Sequence, residues 1–229
     1  MTTYRIFIGR DPRQPVAASV LAQSLYMHAS AALAVTMLDM RWLPIRRCGL
    51  TTFTFTRYLV PWMCHYEGWA LFLDADMLAR ADVTKLWDLR ESRYDVMLVK
   101  NRIRCEWPSL MMFNCENCHR LTPEWVEDEK NQPAALQWAK EIGELPTEWN
   151  HAIGYDPRNS DAKMAHFTQG VPVWKETKGS EFAEEWWAVA RQMASSVEHH
   201  ELMGRSVHVQ PQMDQFRSHN VATGEDIAR

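Results

Sequence analysis

The sequence has no apolar run approaching the roughly 20 residues that a membrane-spanning helix requires, so no span is expected. Its first residues, Met-Thr-Thr-Tyr-Arg, lack the basic flank and apolar stretch of a secretory signal. An excess of positive charge is missing as well. A formal net charge of -4 excludes the broad basic field that nucleic-acid binding demands. Five cysteines are an odd count with no paired framework, which suits a reducing cytoplasm, the expected location. Cys115-Glu-Asn-Cys118-His119 is half of a structural zinc pattern. With no second pair, these are expected to be reduced thiols near a buried strand. Internal repeats, low-complexity segments and linkers are also lacking. The 229 residues therefore read as a single domain over 1–207 and a polar, aperiodic tail over 208–229.

A chain of this length can bury roughly 70–75% of its unfolded surface, so one sizeable core is feasible. Trp faces stack well on sugars, but most Trp residues fill cores, so the eleven tryptophans support carbohydrate chemistry only weakly. Basic residues cluster locally at Arg41, Arg46, Arg47 and Arg57, and again at Lys100, Arg102 and Arg104. Taken singly these are solvated surface; together they leave room for one small anionic ligand.

Tyr4-Arg-Ile-Phe-Ile8 reads as an opening strand, ended by the turn signature Gly9-Arg-Asp11-Pro12. Residues 14–31 carry apolar side chains at helical spacing, and a second helix is expected over Thr56 to Tyr66. Trp69-Ala-Leu-Phe-Leu73, Asp95–Val99, Leu110–Phe113 and the shorter Met164–Phe167 are apolar without alternation. That pattern belongs to strands covered on both faces. Further helices are expected near 133–142 and 181–195. Strands alternating with helices predict an α/β layer protein with a mostly parallel central sheet flanked by helices.

The segment with most chemical content is Leu71-Phe-Leu-Asp74-Ala-Asp76-Met. Two carboxylates two residues apart at the end of a buried strand point to one side if the extended geometry continues. Open α/β sheets bind ligands at that end. Adjacent anions there repel each other unless a cation joins them, and a divalent metal can also grip a diphosphate. His166, in Lys163-Met-Ala-His166-Phe-Thr-Gln-Gly170-Val-Pro172-Val-Trp174, stands at another strand end. A lone His is more often a structural hydrogen-bonder, but two carboxylates with one imidazole suit manganese better than magnesium, which remains possible.

The order of these motifs resembles the glycogenin and lipopolysaccharide-galactosyltransferase group, glycosyltransferase family 8, over about residues 4 to 175. It comprises the first strand and turn, Phe55-Thr-Arg57-Tyr-Leu, the Asp74-Ala-Asp76 strand end, Phe113-Asn114, Leu145-Pro-Thr-Glu-Trp-Asn150, and the late His166, Gly170 and Trp174. The resemblance implies a GT-A fold and a hexosyltransferase that moves a sugar from a UDP-sugar to a carbohydrate or other small acceptor, with retention. It implies that Asp74, Asp76 and His166 bind Mn2+, and that Arg57 and Asp74 take part in catalysis. Arg57 would contact the donor's sugar or phosphate, and Asn114 a sugar hydroxyl. Ile8, Gly9 and Asp11 would border the base, Asn150 would touch substrate, and Gly170 would admit the diphosphate to the backbone.

The sequence departs from that pattern in three places. Three residues separate His166 from Gly170 where the family has two. Val173 stands where the family has lysine, leaving Lys175 as a candidate replacement. The family's Asp-Gln pair is missing, with Leu136-Gln137-Trp138 the nearest stretch. Alternatives are a nucleotide-sugar binder with weak turnover and a sugar-1-phosphate nucleotidyltransferase, whose glycine-rich phosphate loop is absent. A haloacid-dehalogenase-type phosphatase fits poorly, because Met77 and Leu78 follow the second Asp.

Overall fold

The computed structural model describes residues 3–100 and 107–198. In chain order its strands are β1 (Tyr4–Gly9), β2 (Leu33–Leu38), β3 (Trp69–Leu73), β4 (Met77–Ala79), β5 (Val96–Leu98), β6 (Leu110–Asn114), β7 (Ile142–Glu144), β8 (His151–Ala152) and β9 (Met164–His166). The α-helices are α1 (Pro15–His28), α2 (Val60–Met63), α3 (Pro123–Glu127) and α4 (Ala183–Glu198). By its contacts the chain divides into Met1–Trp187, which holds the nine strands found among the described residues, and Ala188–Arg229, whose described residues continue α4. The tail expected over 208–229 lies outside the described residues. Among the described residues no helix is long and apolar enough to cross a membrane.

The main sheet runs β2-β1-β3-β6-β5-β7, and a small one runs β4-β9-β8. In the main sheet β1 is parallel to β2 and β3, and β5 to β7, whereas β6 runs antiparallel to both β3 and β5. The architecture is thus the expected α/β layer with a mostly parallel sheet. The apolar, non-alternating strands are covered on both faces. Phe7, Phe72, Met111, Phe113, Val96 and Leu98 pack into one cluster with Phe53, Tyr58, Leu59 and Trp138. Their opposite-parity neighbours Ile6, Ile8, Leu71, Leu73 and Met112 are equally buried, and α1 packs against β1, β2 and β4. Each such side chain contributes roughly 1.5–3 kcal/mol by leaving water.

Two helical expectations change. The stretch 133–142 is a short 3-10 turn, Pro133–Ala135, followed by Leu136 at φ 56° and then β7. Its apolar periodicity comes from Trp138, which stacks on Phe113 at 5.8 Å and donates to the Pro133 carbonyl. Tertiary packing, not a helix, buries that side chain. The segment expected as one helix over 56–66 begins as a 3-10 turn, Thr56–Leu59, and becomes α2 only at Val60. The left-handed residues His65 and Tyr66 end it.

Candidate metal centre

Strand β3 ends at Leu73, and the chain does not stay extended. Asp74, Ala75 and Asp76 form the corner at which it leaves the main sheet for β4 of the small one. The straight continuation expected from the sequence is therefore replaced by a turn, and the turn brings the two carboxylates together. The corner is pinned by Asp74 N–H donating to the Ser109 carbonyl at 2.8 Å. The return of His166 follows from sheet pairing. Because β9 runs antiparallel to β4, His166 stands opposite Met77, and Phe167 N–H donates to the Asp76 carbonyl at 2.9 Å. One oxygen from each acid and one ring nitrogen of His166 all lie within 4.8 Å of one another.

Metal–ligand bonds of about 2.1 Å place the ligands of one ion roughly 3–4 Å apart, so this spacing suits a shared divalent cation. The polar accounting points the same way. Asp74 Oδ1 and Asp76 Oδ1 are buried atoms with no aligned hydrogen-bond donor. Arg57 Nη2 approaches the first only as an ion pair at 3.0 Å, and His166 Nε2 stands 3.4 Å from the second. Burial pushes Asp74 up to about 6, with Asp76 adding to the rise and Arg57 opposing it. A carboxylate pair this crowded is what a cation relieves.

Arg57 is held from several sides. It donates to the carbonyls of Thr54 and Pro108 at 3.1 and 2.6 Å, and its guanidinium carbon lies 4.8 Å from the Phe72 ring centre. It therefore fixes Asp74 from behind while lining a cavity of about 320 Å³ above the acids. Phe53, Thr54 and Leu50 form one wall of that cavity, and Ser109, Ala134 and Thr168 close it elsewhere. The only carboxylates among its described lining residues are Asp74 and Asp76.

The remaining sequence candidates divide. Ile8 pairs with Leu73 across β1 and β3, which puts Ile8, Gly9 and Asp11 at the sheet edge that carries Asp74. The Asp11 carboxylate is closed by Arg13, whose hydrogen bonds hold its pKa below the usual range. Gly9 has a packing role: a Cβ there would stand 2.4 Å from the Phe53 ring. Gly9→Ala is expected to displace that cavity wall and cost about 1–3 kcal/mol. A urea melt with a lower midpoint and unchanged slope is the measurement; a midpoint equal to wild type would refute it. Asn150 is buried behind His166. Gly170, at φ +104°, and exposed Lys175 line a separate hollow of about 560 Å³.

Asn114 is a correction. Since β6 is antiparallel to β3, Asn114 pairs with Trp69 at the far end of the sheet, where its amide donates to the carbonyls of Ser92 and Tyr94. The residue this strand delivers to the acids is Ser109, at its other end. Only strand direction distinguishes the two, and an apolar run does not encode direction. Ser109 and Ala134 were therefore missed, although Pro108 and Pro133 mark the turns that present them. The thiols of Cys115 and Cys118 are buried and unbridged, and Cys118 donates to the carbonyls of Asn114 and Asp95.

No family model matches the chain. It is 31% identical over 219 residues to Protein CDI of Arabidopsis thaliana, covering 80% of this chain and 84% of that protein. Among solved structures it is similar to the glycosyltransferase GlyE of Streptococcus pneumoniae TIGR4, with a TM-score of 0.62 at 15% identity over 82% of this chain. It spans only 60% of that protein. It is also similar to the galactosyltransferase LgtC, solved with donor and acceptor sugar analogs, with a TM-score of 0.59 at 15% identity over 83% of this chain and 96% of that one. The chain has the GT-A fold of glycosyltransferases.

Proposed function

The chain belongs to the family of Protein CDI of Arabidopsis thaliana, and from its fold and its acid–imidazole corner we propose that it is a metal-dependent glycosyltransferase using a UDP-sugar donor. The observation that carries this reading is the convergence of Asp74, Asp76 and His166 at the carboxyl end of β3, the side on which open α/β sheets bind ligands. We assign the three as holders of a divalent ion, Mn2+ before Mg2+, because imidazole favours the softer metal. When bound, such an ion supplies Lewis-acid neutralisation of a diphosphate leaving group.

The chain's own residues do the positioning. Arg57 keeps Asp74 ionised and aimed, and the wall from Leu50 to Thr54 excludes water from one side of the cavity. The sheet edge at Gly9 and Asp11 is the side assigned to the nucleotide. A hollow of about 590 Å³ lined by Lys100, Glu144, Thr147 and His151 lies at the carboxyl ends of β5 and β7, along the same edge of the sheet, and is assigned to the acceptor. Transfer breaks the bond from the anomeric carbon to the diphosphate oxygen, which leaves with the electron pair as UDP, and makes one to an acceptor oxygen, whose proton passes to the departing UDP or to solvent. The motif resemblance to the glycogenin and lipopolysaccharide-galactosyltransferase group favours retention.

The test is nucleotide release from a panel of UDP- and GDP-sugars with and without manganese. Manganese-dependent release of UDP from at least one donor is expected. Binding of UDP without release from any donor would instead identify a nucleotide-sugar binder.

A further inference from the structure

Behind the two acids and the imidazole lies a chain of buried hydrogen bonds. Asn150 and Ser109, 5% and 2% exposed, are the residue just after the 3-10 turn Thr147–Trp149 and the residue just before β6. Asn150 Nδ2 donates to Ser109 Oγ at 2.9 Å, and Asn150 Oδ1 lies 3.1 Å from His166 Nδ1. The Ser109 carbonyl receives Asp74 N–H, and the Asp76 carbonyl receives Phe167 N–H. The path therefore runs from Asp74 through Ser109 and Asn150 to His166, and returns through β9 to Asp76.

We propose that Asn150, anchored by Ser109, is a positioning residue that fixes the tautomer of His166 with the proton on Nδ1, turning Nε2 toward Asp76 as a ligand nitrogen. An amide oxygen only accepts hydrogen bonds, so the ring nitrogen facing Asn150 Oδ1 must carry the hydrogen. In a neutral imidazole the other nitrogen then holds the lone pair. That nitrogen, Nε2, stands 3.4 Å from Asp76 Oδ1, so two acceptors face one another across the place assigned to the ion. Asparagine serves here because its two ends differ: the donor end is taken by Ser109, and the acceptor end is left for the imidazole. The sequence reading placed Asn150 against substrate; the residue borders the hollow assigned above to the acceptor, and its amide is engaged on both ends behind the ligands. The metal half of this inference rests on the function proposed above, whereas the tautomer half does not.

The experiment uses the full chain with 15N-labelled histidine. Long-range proton–nitrogen spectra of the metal-free protein, recorded at a pH high enough to leave the ring neutral and with His166 assigned by its loss in His166→Gln, are expected to show a single tautomer protonated at Nδ1. Asn150→Leu keeps the volume but removes the acceptor, and is expected to release His166 to the other tautomer or a mixture. Calorimetric titration with Mn2+ alone should then show affinity weakened about 10–100-fold, the usual effect of removing such an outer partner. Ser109→Ala, which leaves the Asn150–His166 bond and removes its anchor, should shift both readouts in the same direction by less.

An unchanged tautomer and unchanged Mn2+ affinity in Asn150→Leu would overturn the proposal. If that variant gives no dispersed spectrum, an unchanged tautomer in Ser109→Ala overturns it instead. If the wild type binds no Mn2+, the metal reading fails, and the metal-free spectra still decide whether Asn150 orients His166.

Discussion

Asp76→Asn is expected to lower kcat/KM for manganese-dependent turnover of the sugar nucleotide by about 10²–10³-fold, while leaving the metal-free protein at least as stable as wild type. The two effects share one cause. Asp76 stands with Asp74 at a corner where each carboxylate has an oxygen without an aligned donor. Two like charges so placed oppose folding unless a cation joins them. Neutralising one removes the repulsion and, with it, a ligand. Thermal melts with and without Mn2+ separate the terms. An ion that binds only the folded state stabilises it by about 2.7 kcal/mol at a hundredfold excess over Kd. The wild type should therefore melt higher with Mn2+ and the variant should not. Full activity in Asp76→Asn, or an equal Mn2+-induced rise in Tm, would remove the acids from the proposed site.

Much of this arrangement was legible in the sequence because it depends on local signals. Unbroken apolar runs at 69–73 and 110–113 announced strands covered on both faces, and a strand followed by Asp-x-Asp announced paired acids at its carboxyl end. What the sequence withheld is direction and pairing. Nothing in Leu110-Met-Met-Phe-Asn says that this strand runs opposite to β3, yet that choice sends Asn114 to the wrong end and brings Ser109 to the acids. Likewise β4 is only three residues long. Its pairing with β9, which delivers His166, is a long-range choice that single-sequence periodicity does not contain. The stretch 133–142 shows the converse failure: its helical spacing is real, but Leu136 in the left-handed region breaks the turn and Trp138 is claimed by Phe113 and Tyr58. Tertiary packing overrode local propensity there.

Arg57→Met is expected to cost about 3–5 kcal/mol of stability, a large share of what a domain of this size has, because it strips the cation from a buried carboxylate. Arg57 is itself buried, and its partners include Asp74, the Thr54 and Pro108 carbonyls and the Phe72 face. Methionine replaces the packing of the stem but neither the charge nor the donors, so the ionised Asp74 and two carbonyls lose them together. Arg57→Lys keeps a charge but, having a single ammonium head, cannot reach both carbonyls and the carboxylate, and should fall between the two. The double variant Arg57→Met/Asp74→Asn separates the sources of the loss. If the buried charge dominates, it should be more stable than Arg57→Met alone, since breaking one side of a buried pair costs more than neutralising both. Mn2+ should also recover part of the stability of Arg57→Met, because a cation between Asp74 and Asp76 takes over the neutralisation that the guanidinium supplied. Urea melts of the three variants, with and without Mn2+, measure all of these differences. If Arg57→Met melts like wild type, the guanidinium does not hold Asp74, and the aim of that carboxylate must come from the turn alone.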